Sequence, residues 1–155
     1  IVEAGPTDTS PYGRARQLLW ANAEHLVAAG HLCWLRIHYV FDPTQGHPLL
    51  FKLIAQAQMS GHSKIQLKHP WATHDFIHVD DVASAISISI QNDLRGLVDV
   101  GSGTSRSVSE IVEAMGLTWQ QDPMASGVAI STPPAEVAKL TNNGWAPVNT
   151  LGFLP

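Results

Sequence analysis

Tyr12 and Arg16 lie four residues apart. On a helix that spacing puts both side chains on one face, about 6 Å from each other. A phenol has a reference pKa of about 10, so one that moves protons near neutral pH needs a cation beside it. One unit charge at about 6 Å, with an effective dielectric near 20, stabilises a phenolate by about 2.8 kcal/mol. The same spacing also describes an ordinary exposed Tyr and Arg. A second concentration of chemistry is His74, Asp75, His78, Asp80 and Asp81. A hard or borderline metal ion could use such side chains, and carboxylates there could equally cap a helix. Cys33 is the single cysteine and opens an apolar run, so it reads as a small apolar residue rather than a nucleophile. The five Trp residues read as packing residues, with Trp71, just before His74, also placed to touch a ligand.

These side chains need elements to carry them. Segment 8–30 is predicted to be a helix. Asp8, Thr9 or Ser10 can cap it, Pro11 is tolerated in its first turn, and Gly30 follows its end. Its apolar face is expected to hold Leu19, Ala23, Leu26 and Val27. Segment 33–41 is short, aromatic and β-branched, and stops at Asp42-Pro43. It reads as one strand covered on both faces. Pro48 opens a second helix through Leu49, Leu50, Leu53, Ile54 and Ala57, closed by Gly61. Residues 65–68 suggest a short strand. Segment 79–91 reads as a helix despite its alternating Ile and Ser, because Asp80 and Asp81 suit its positive end. Residues 97–100 read as a strand stopped by Gly101-Ser102-Gly103. Ser107 and Glu110 form a capping box, 120–134 reads as loop, and 135–141 as a short helix. Alternating strands and helices predict an α/β fold with a mainly parallel sheet.

The chain has 155 residues, of which 45% are hydrophobic and 14% charged, with a net charge of -4. That composition argues against disorder and gives a polyanion no basic stripe to grip, so nucleic acid is not an expected partner. No apolar run approaches the roughly 20 residues of a membrane helix. One cysteine permits no internal disulfide, which makes the cytoplasm the default compartment. The chain begins Ile1-Val2-Glu3, without an initiator Met. The expectation is a trimmed start or a piece of something longer, and so few charges suggest that some surface meets another domain or chain.

Several segments together resemble one family. Ser10-Pro11-Tyr12-Gly13-Arg14-Ala15-Arg16 resembles the Tyr-Gly-x-x-Lys segment of the extended short-chain dehydrogenase/reductases, the NAD-dependent nucleotide-sugar epimerases and dehydratases. Glu24 falls where these proteins often carry a Glu. Leu35-Arg36-Ile37-His38-Tyr39-Val40-Phe41-Asp42-Pro43 is similar to their Leu-Arg-x-x-Asn-Val-Tyr-Gly-Pro. Asp75-Phe76-Ile77-His78-Val79-Asp80-Asp81-Val82-Ala83 is very similar to their Asp-Phe-Ile-His-Val-Asp-Asp-Val-Ala, and is the most specific match. Residues 98–111 and the closing Lys139-Leu140…Gly144-Trp145-Ala146-Pro147 continue the resemblance in order.

The resemblance implies part of a Rossmann-like doubly wound parallel sheet with a small C-terminal substrate-binding region. Residues 1–100 would form the sheet and helix part of a single unit, and 101–155 mainly the substrate part. Tyr12 would be the catalytic acid/base, with Arg16 where a Lys holds the nicotinamide ribose. Tyr39, Phe41 and Pro43 would border the NAD or NADP nicotinamide, and Tyr39 also the substrate. His74 and Asp75 would lie near the diphosphate of a nucleotide-sugar or support its loop. The carboxylates at 80 and 81 would cap a helix, with no metal. The partner would be a second copy, through helices 8–30 and 48–60, or a chain supplying the N-terminal half.

The departures are specific. The family's glycine-rich dinucleotide turn is absent, and Gly101-x-Gly103 lacks the third glycine that could replace it. Arg16 stands for Lys, Tyr39 for Asn, Asp42 for Gly and His74 for Arg. A His is mostly neutral at pH 7, which weakens diphosphate recognition. The expectation is therefore the C-terminal portion of an NAD(P)-dependent epimerase, dehydratase or reductase. The alternative is a non-catalytic ligand-binding or interaction module degenerated from that fold.

Overall fold

A computed structural model describes residues 10–42 and 49–149. The helix caps Asp8 and Thr9, the loop residue Pro43 and the helix-opening Pro48 lie outside the described residues. The elements run α1 (Pro11–Ala28), β1 (Cys33–Ile37), β2 (Tyr39–Phe41), α2 (Leu49–Met59), β3 (Lys64–Leu67), β4 (Thr73–His78), α3 (Val79–Gln91), β5 (Gly96–Val100), β6 (Ser105–Ser107), α4 (Val108–Ala114), β7 (Thr118–Gln121) and α5 (Ala138–Thr141). The α/β class is as expected, and three parallel pairs carry it: β1 with β5, β2 with β4, and β3 with β7. Only β6 runs antiparallel, against the start of β4.

Segment 33–41 is not one strand but two. Up to Ile37 its ladder partner is β5; the His38 N–H then donates to the Val100 carbonyl at 2.9 Å, and from Tyr39 the partner is β4. The run of β-forming side chains continues through the break, so the residue pattern carries no trace of the change of partner. Nor is β1 covered on both faces. Its first four residues are half-buried and Ile37 is exposed. Among the described residues β1 pairs with β5 alone. Two strands escaped the sequence reading. β6 is a serine-rich triplet with little β propensity, and β7 overlaps the stretch read as loop.

The β2–β4 pair separates two cores. On one side Phe41, Phe51, Ile54, Ala57, Leu67, Phe76, Ile111, Val112 and Leu117 pack together. On the other lie Ile77, Val82, Ala85, Leu94, Val98, Val100, Leu140 and Trp145. The alternation of β4 explains this division: Phe76 points to one core and Ile77 to the other. The β3–β7 pair joins a strand from before residue 101 to one from after it.

The inward face of α1 differs in part from the expected one. In α1 the buried residues are Gly13, Ala23 and Val27, while Leu19 and Leu26 are exposed. In α2 they are Phe51, Ile54 and Ala57, while Leu49 and Leu53 point outward. Both helices carry apolar residues around most of their circumference, so periodicity does not single out the core face. α3 is helical as expected. Ser89 turns inward and donates to the Ala85 carbonyl at 2.7 Å, which lets Ile90 face outward. The Ser107–Glu110 capping box forms as read.

His38, at the β1–β2 break, is 8% exposed, and neither ring nitrogen has a hydrogen-bond partner among the described residues. Burial holds its pKa below the usual 6.5, against the pull of Asp75 and Asp99 and with the help of Arg36. Burial lowers His74 in the same direction. Below about pH 6.5 the unfolded chain therefore takes up protons that the folded chain refuses. Stability should be greatest above that pH and fall as pH drops towards the folded-state values. His38→Phe, which removes the unpartnered nitrogens, should flatten this slope and raise the urea midpoint at acidic pH, with the His74 part remaining. An unchanged slope would mean that His38 is not held neutral.

Candidate active site

Ser10 is the N-cap of α1; its side chain accepts from the Gly13 N–H at 3.0 Å, and Pro11 fills the first turn. This start fixes Tyr12 one residue into the helix. Arg16, one turn later, reaches back, and its Nη1 donates to the Tyr12 hydroxyl at 3.3 Å. The guanidinium carbon lies 5.4 Å from the centre of the Tyr12 ring, so the cation also covers the ring face. Tyr12 is 67% exposed. The phenol is thus paired with a cation and largely exposed.

Tyr39 and His74 form a second group. Their rings stack with centroids 4.0 Å apart, and His74 meets Phe76 edge-on at 6.0 Å. The His74 Nδ1 lies 3.2 Å from the Thr132 hydroxyl. Thr132 is held in place because its N–H donates to the Thr73 carbonyl at 2.8 Å. His74 is buried and neutral near pH 7, whereas Tyr39 keeps 40% of its surface exposed. Thr132 was missed by sequence reasoning, since it sits in a loop with no periodicity to single it out.

Asp75 is fully buried and points the opposite way from His74. Its Oδ1 accepts from the Ser102 N–H at 2.7 Å and the Ser102 hydroxyl at 2.6 Å. Its Oδ2 accepts from the N–H groups of Gly103 and Ala135, both at 2.9 Å. The carboxylate therefore clamps the turn after β5 to the segment before α5. Of the two roles the resemblance allows, this geometry is that of loop support. It also removes Gly101-Ser102-Gly103 as a phosphate cradle, since the amides of Ser102 and Gly103 are already taken. A Cβ on Gly101 would lie 2.5 Å from Ala135 Cβ and 2.6 Å from Asp75 Oδ2, so this glycine is there for packing.

Phe41 is 2% exposed and stacked on Phe51 at 4.9 Å, so its ring belongs to the core and only its backbone can border a ligand. Pro43 lies outside the described residues. Among the described residues no hydrogen bond or ring contact joins the Tyr12–Arg16 pair to the Tyr39–His74 pair. Asp81 is buried and accepts from the N–H groups of Val148 and Asn149 at 3.1 and 2.9 Å. The His78 ring caps α3 by accepting from the Asp80 N–H at 3.2 Å. Among the described residues no three His, Cys, Asp or Glu side chains are grouped to hold a metal ion.

Arg36 meets Asp99 through two hydrogen bonds of 2.5 Å each. Burial pushes the Asp99 carboxyl up, but the Arg36 hydrogen bond and charge outweigh it and hold it below its usual value. Trp71 is 66% exposed and sits edge-on to Trp119 at 5.0 Å. Trp145 is buried, and its indole N–H donates to Ser84 at 2.8 Å. No helix among the described residues is long and apolar enough to cross a membrane.

No protein-family model matches the chain. Solved structures do share its fold. RMD from Pseudomonas aeruginosa complexed with NADPH matches with a TM-score of 0.70 at 18% identity, over 92% of this chain and 52% of that one. UDP-glucose-4-epimerase from Stenotrophomonas maltophila, with bound NAD and formylated UDP-arabinopyranose, matches at 0.68 and 23%, over 93% and 52%. dTDP-glucose 4,6-dehydratase from Bacillus anthracis in complex with NAD matches at 0.64 and 18%, over 93% and 49%. The chain spans about half the length of each. The likeness to nucleotide-sugar epimerases and dehydratases expected from the sequence is thus present in the fold, as a partial Rossmann-like unit.

Proposed function

We propose that this chain supplies the proton-carrying and substrate-facing half of an NAD(P)-dependent nucleotide-sugar epimerase, dehydratase or reductase. The observation that carries the reading is the exposed Tyr12 hydroxyl held at 3.3 Å from the Arg16 guanidinium, at the start of the first helix of this fold. Tyr12 would take a proton from a sugar hydroxyl, and Arg16 would stabilise the phenolate form by charge. The nicotinamide, when bound, supplies the hydride acceptor. Tyr12 and Arg16 fit the ribose side of that group, since they present a hydroxyl and a cation together. Nothing among the described residues fits its pyrophosphate, which needs a glycine turn at a helix N-terminus. That cradle would come from other polypeptide. Two features suit such a neighbour: β1 has one ladder among the described residues, and α1 exposes Leu18 and Leu19. A second copy packed through α1 and α2 is the other arrangement the resemblance suggests. The single cysteine suits the reducing cytoplasm.

A non-catalytic ligand-binding module is the second reading. It is favoured by the Tyr39–His74 stack, with the His74 pKa lowered by burial, standing where the resembled enzymes carry Asn and Arg. Tryptophan fluorescence separates the two. Trp20 and Trp34, 5.2 Å apart edge-on, join α1 to β1 and should report a nearby nicotinamide. NAD should change the emission when the chain is mixed with a polypeptide carrying the glycine-rich turn. No response with or without that polypeptide would reject the enzyme reading.

A further inference from the structure

We propose that Arg106 is the residue that reads the anionic part of the ligand, a phosphate ester, from the strand beside His74; this rests on the nucleotide-sugar reading above. His74 and Arg106 are direct partners in the antiparallel β4–β6 register. Such partners share one face of a sheet, with Cβ atoms about 4.5–5.5 Å apart. On that face the His74 ring is already engaged, stacked on Tyr39 and bonded to Thr132. It is neutral near pH 7 and offers a ligand no charge.

Arg106 is the reverse case. It is exposed and, among the described residues, its side chain makes neither a hydrogen bond nor an ion pair. Its fork of N–H donors is open, and a planar guanidinium matches phosphate oxygens in pairs. The carboxylate that feels its charge is Glu110, which is already held by the Ser107 N–H at 2.6 Å and hydroxyl at 2.9 Å. Tyr39, registered with Phe76, belongs to the same face. The face therefore joins an uncommitted cation to an exposed aromatic ring. A nucleoside diphosphate has the complementary parts: phosphates for Arg106, and a flat or ring-shaped group for Tyr39.

The test compares UDP with uridine by calorimetric titration of the whole chain, at low and moderate salt. UDP should bind at least about tenfold tighter than uridine, and salt should shrink the difference. Arg106→Gln should erase it, and Arg106→Lys should restore part of it. Arg106 is exposed, so its variants should keep the wild-type Tm. Equal binding of UDP and uridine by the wild-type chain would overturn the proposal. So would a UDP preference that survives Arg106→Gln. Failure of the enzyme reading looks different: hydride transfer would be missing while the Arg106-dependent preference for UDP remained.

Discussion

Replacing Tyr12 by Phe in the assembled, NAD-loaded enzyme should lower turnover by about 10²–10⁴-fold, the usual worth of a positioned acid–base group. The substitution removes one oxygen and leaves the ring under Arg16. The side chain is 67% exposed, and among the described residues the bond lost is the surface contact with Arg16. Stability should therefore change by no more than about 0.5 kcal/mol. Turnover and a urea midpoint, measured on the same preparation, check both halves. A large loss of turnover with an unchanged midpoint identifies the phenol as the proton carrier; near-wild-type turnover refutes it. Arg16→Met should act in the same direction, because the phenolate loses its neighbouring cation.

Asp75→Ala should have the largest effect on the fold. The change strips partners from the amides of Ser102, Gly103 and Ala135 and from the Ser102 hydroxyl, around a carboxylate that is fully buried. Hydrogen bonds to a charged group are worth about 1.5–3 kcal/mol each, and buried donors left alone cost about 1–3 kcal/mol. Non-additivity keeps the expected total near 3–5 kcal/mol, a large part of the stability of a domain this size. Asp75→Asn should not rescue it. One amide oxygen can serve one pair of donors, but the NH₂ group would then face the other pair. Denaturant unfolding should show a lower midpoint for both variants. Wild-type stability in Asp75→Asn would mean that the clamp contributes little.

Much of this was legible because the determining signals are local. The cap at Ser10 and the box at Ser107 and Glu110 each act within one helical turn. The Tyr12–Arg16 contact is likewise an i, i+4 relation, and it formed. Long-range choices were not legible. Asp81, expected to cap α3, instead accepts from Val148 and Asn149 far along the chain, and the His78 ring caps the helix. The switch of ladder partner at His38 depends on β4 and β5, which lie tens of residues later. The burial of Asp75 beneath the 101–103 turn, the bond from Thr132 to His74, and the register that sets Arg106 beside His74 all join segments distant in sequence. The inward face of α1 was not legible for a different reason. Its apolar side chains Leu18, Leu19, Trp20, Ala23, Leu26 and Val27 spread over more than one side, so only the neighbours decide which side is covered.

The most direct test of the proton-carrier assignment is a single-turnover measurement on the assembled enzyme. The absorbance of reduced nicotinamide would be followed after a UDP-sugar is mixed with the NAD-loaded protein. The expected result is rapid reduction in the wild type and almost none in Tyr12→Phe, with UDP bound equally by both. Reduction at the same rate in both proteins would contradict the assignment of Tyr12, and no reduction in the wild type would contradict hydride chemistry at this site.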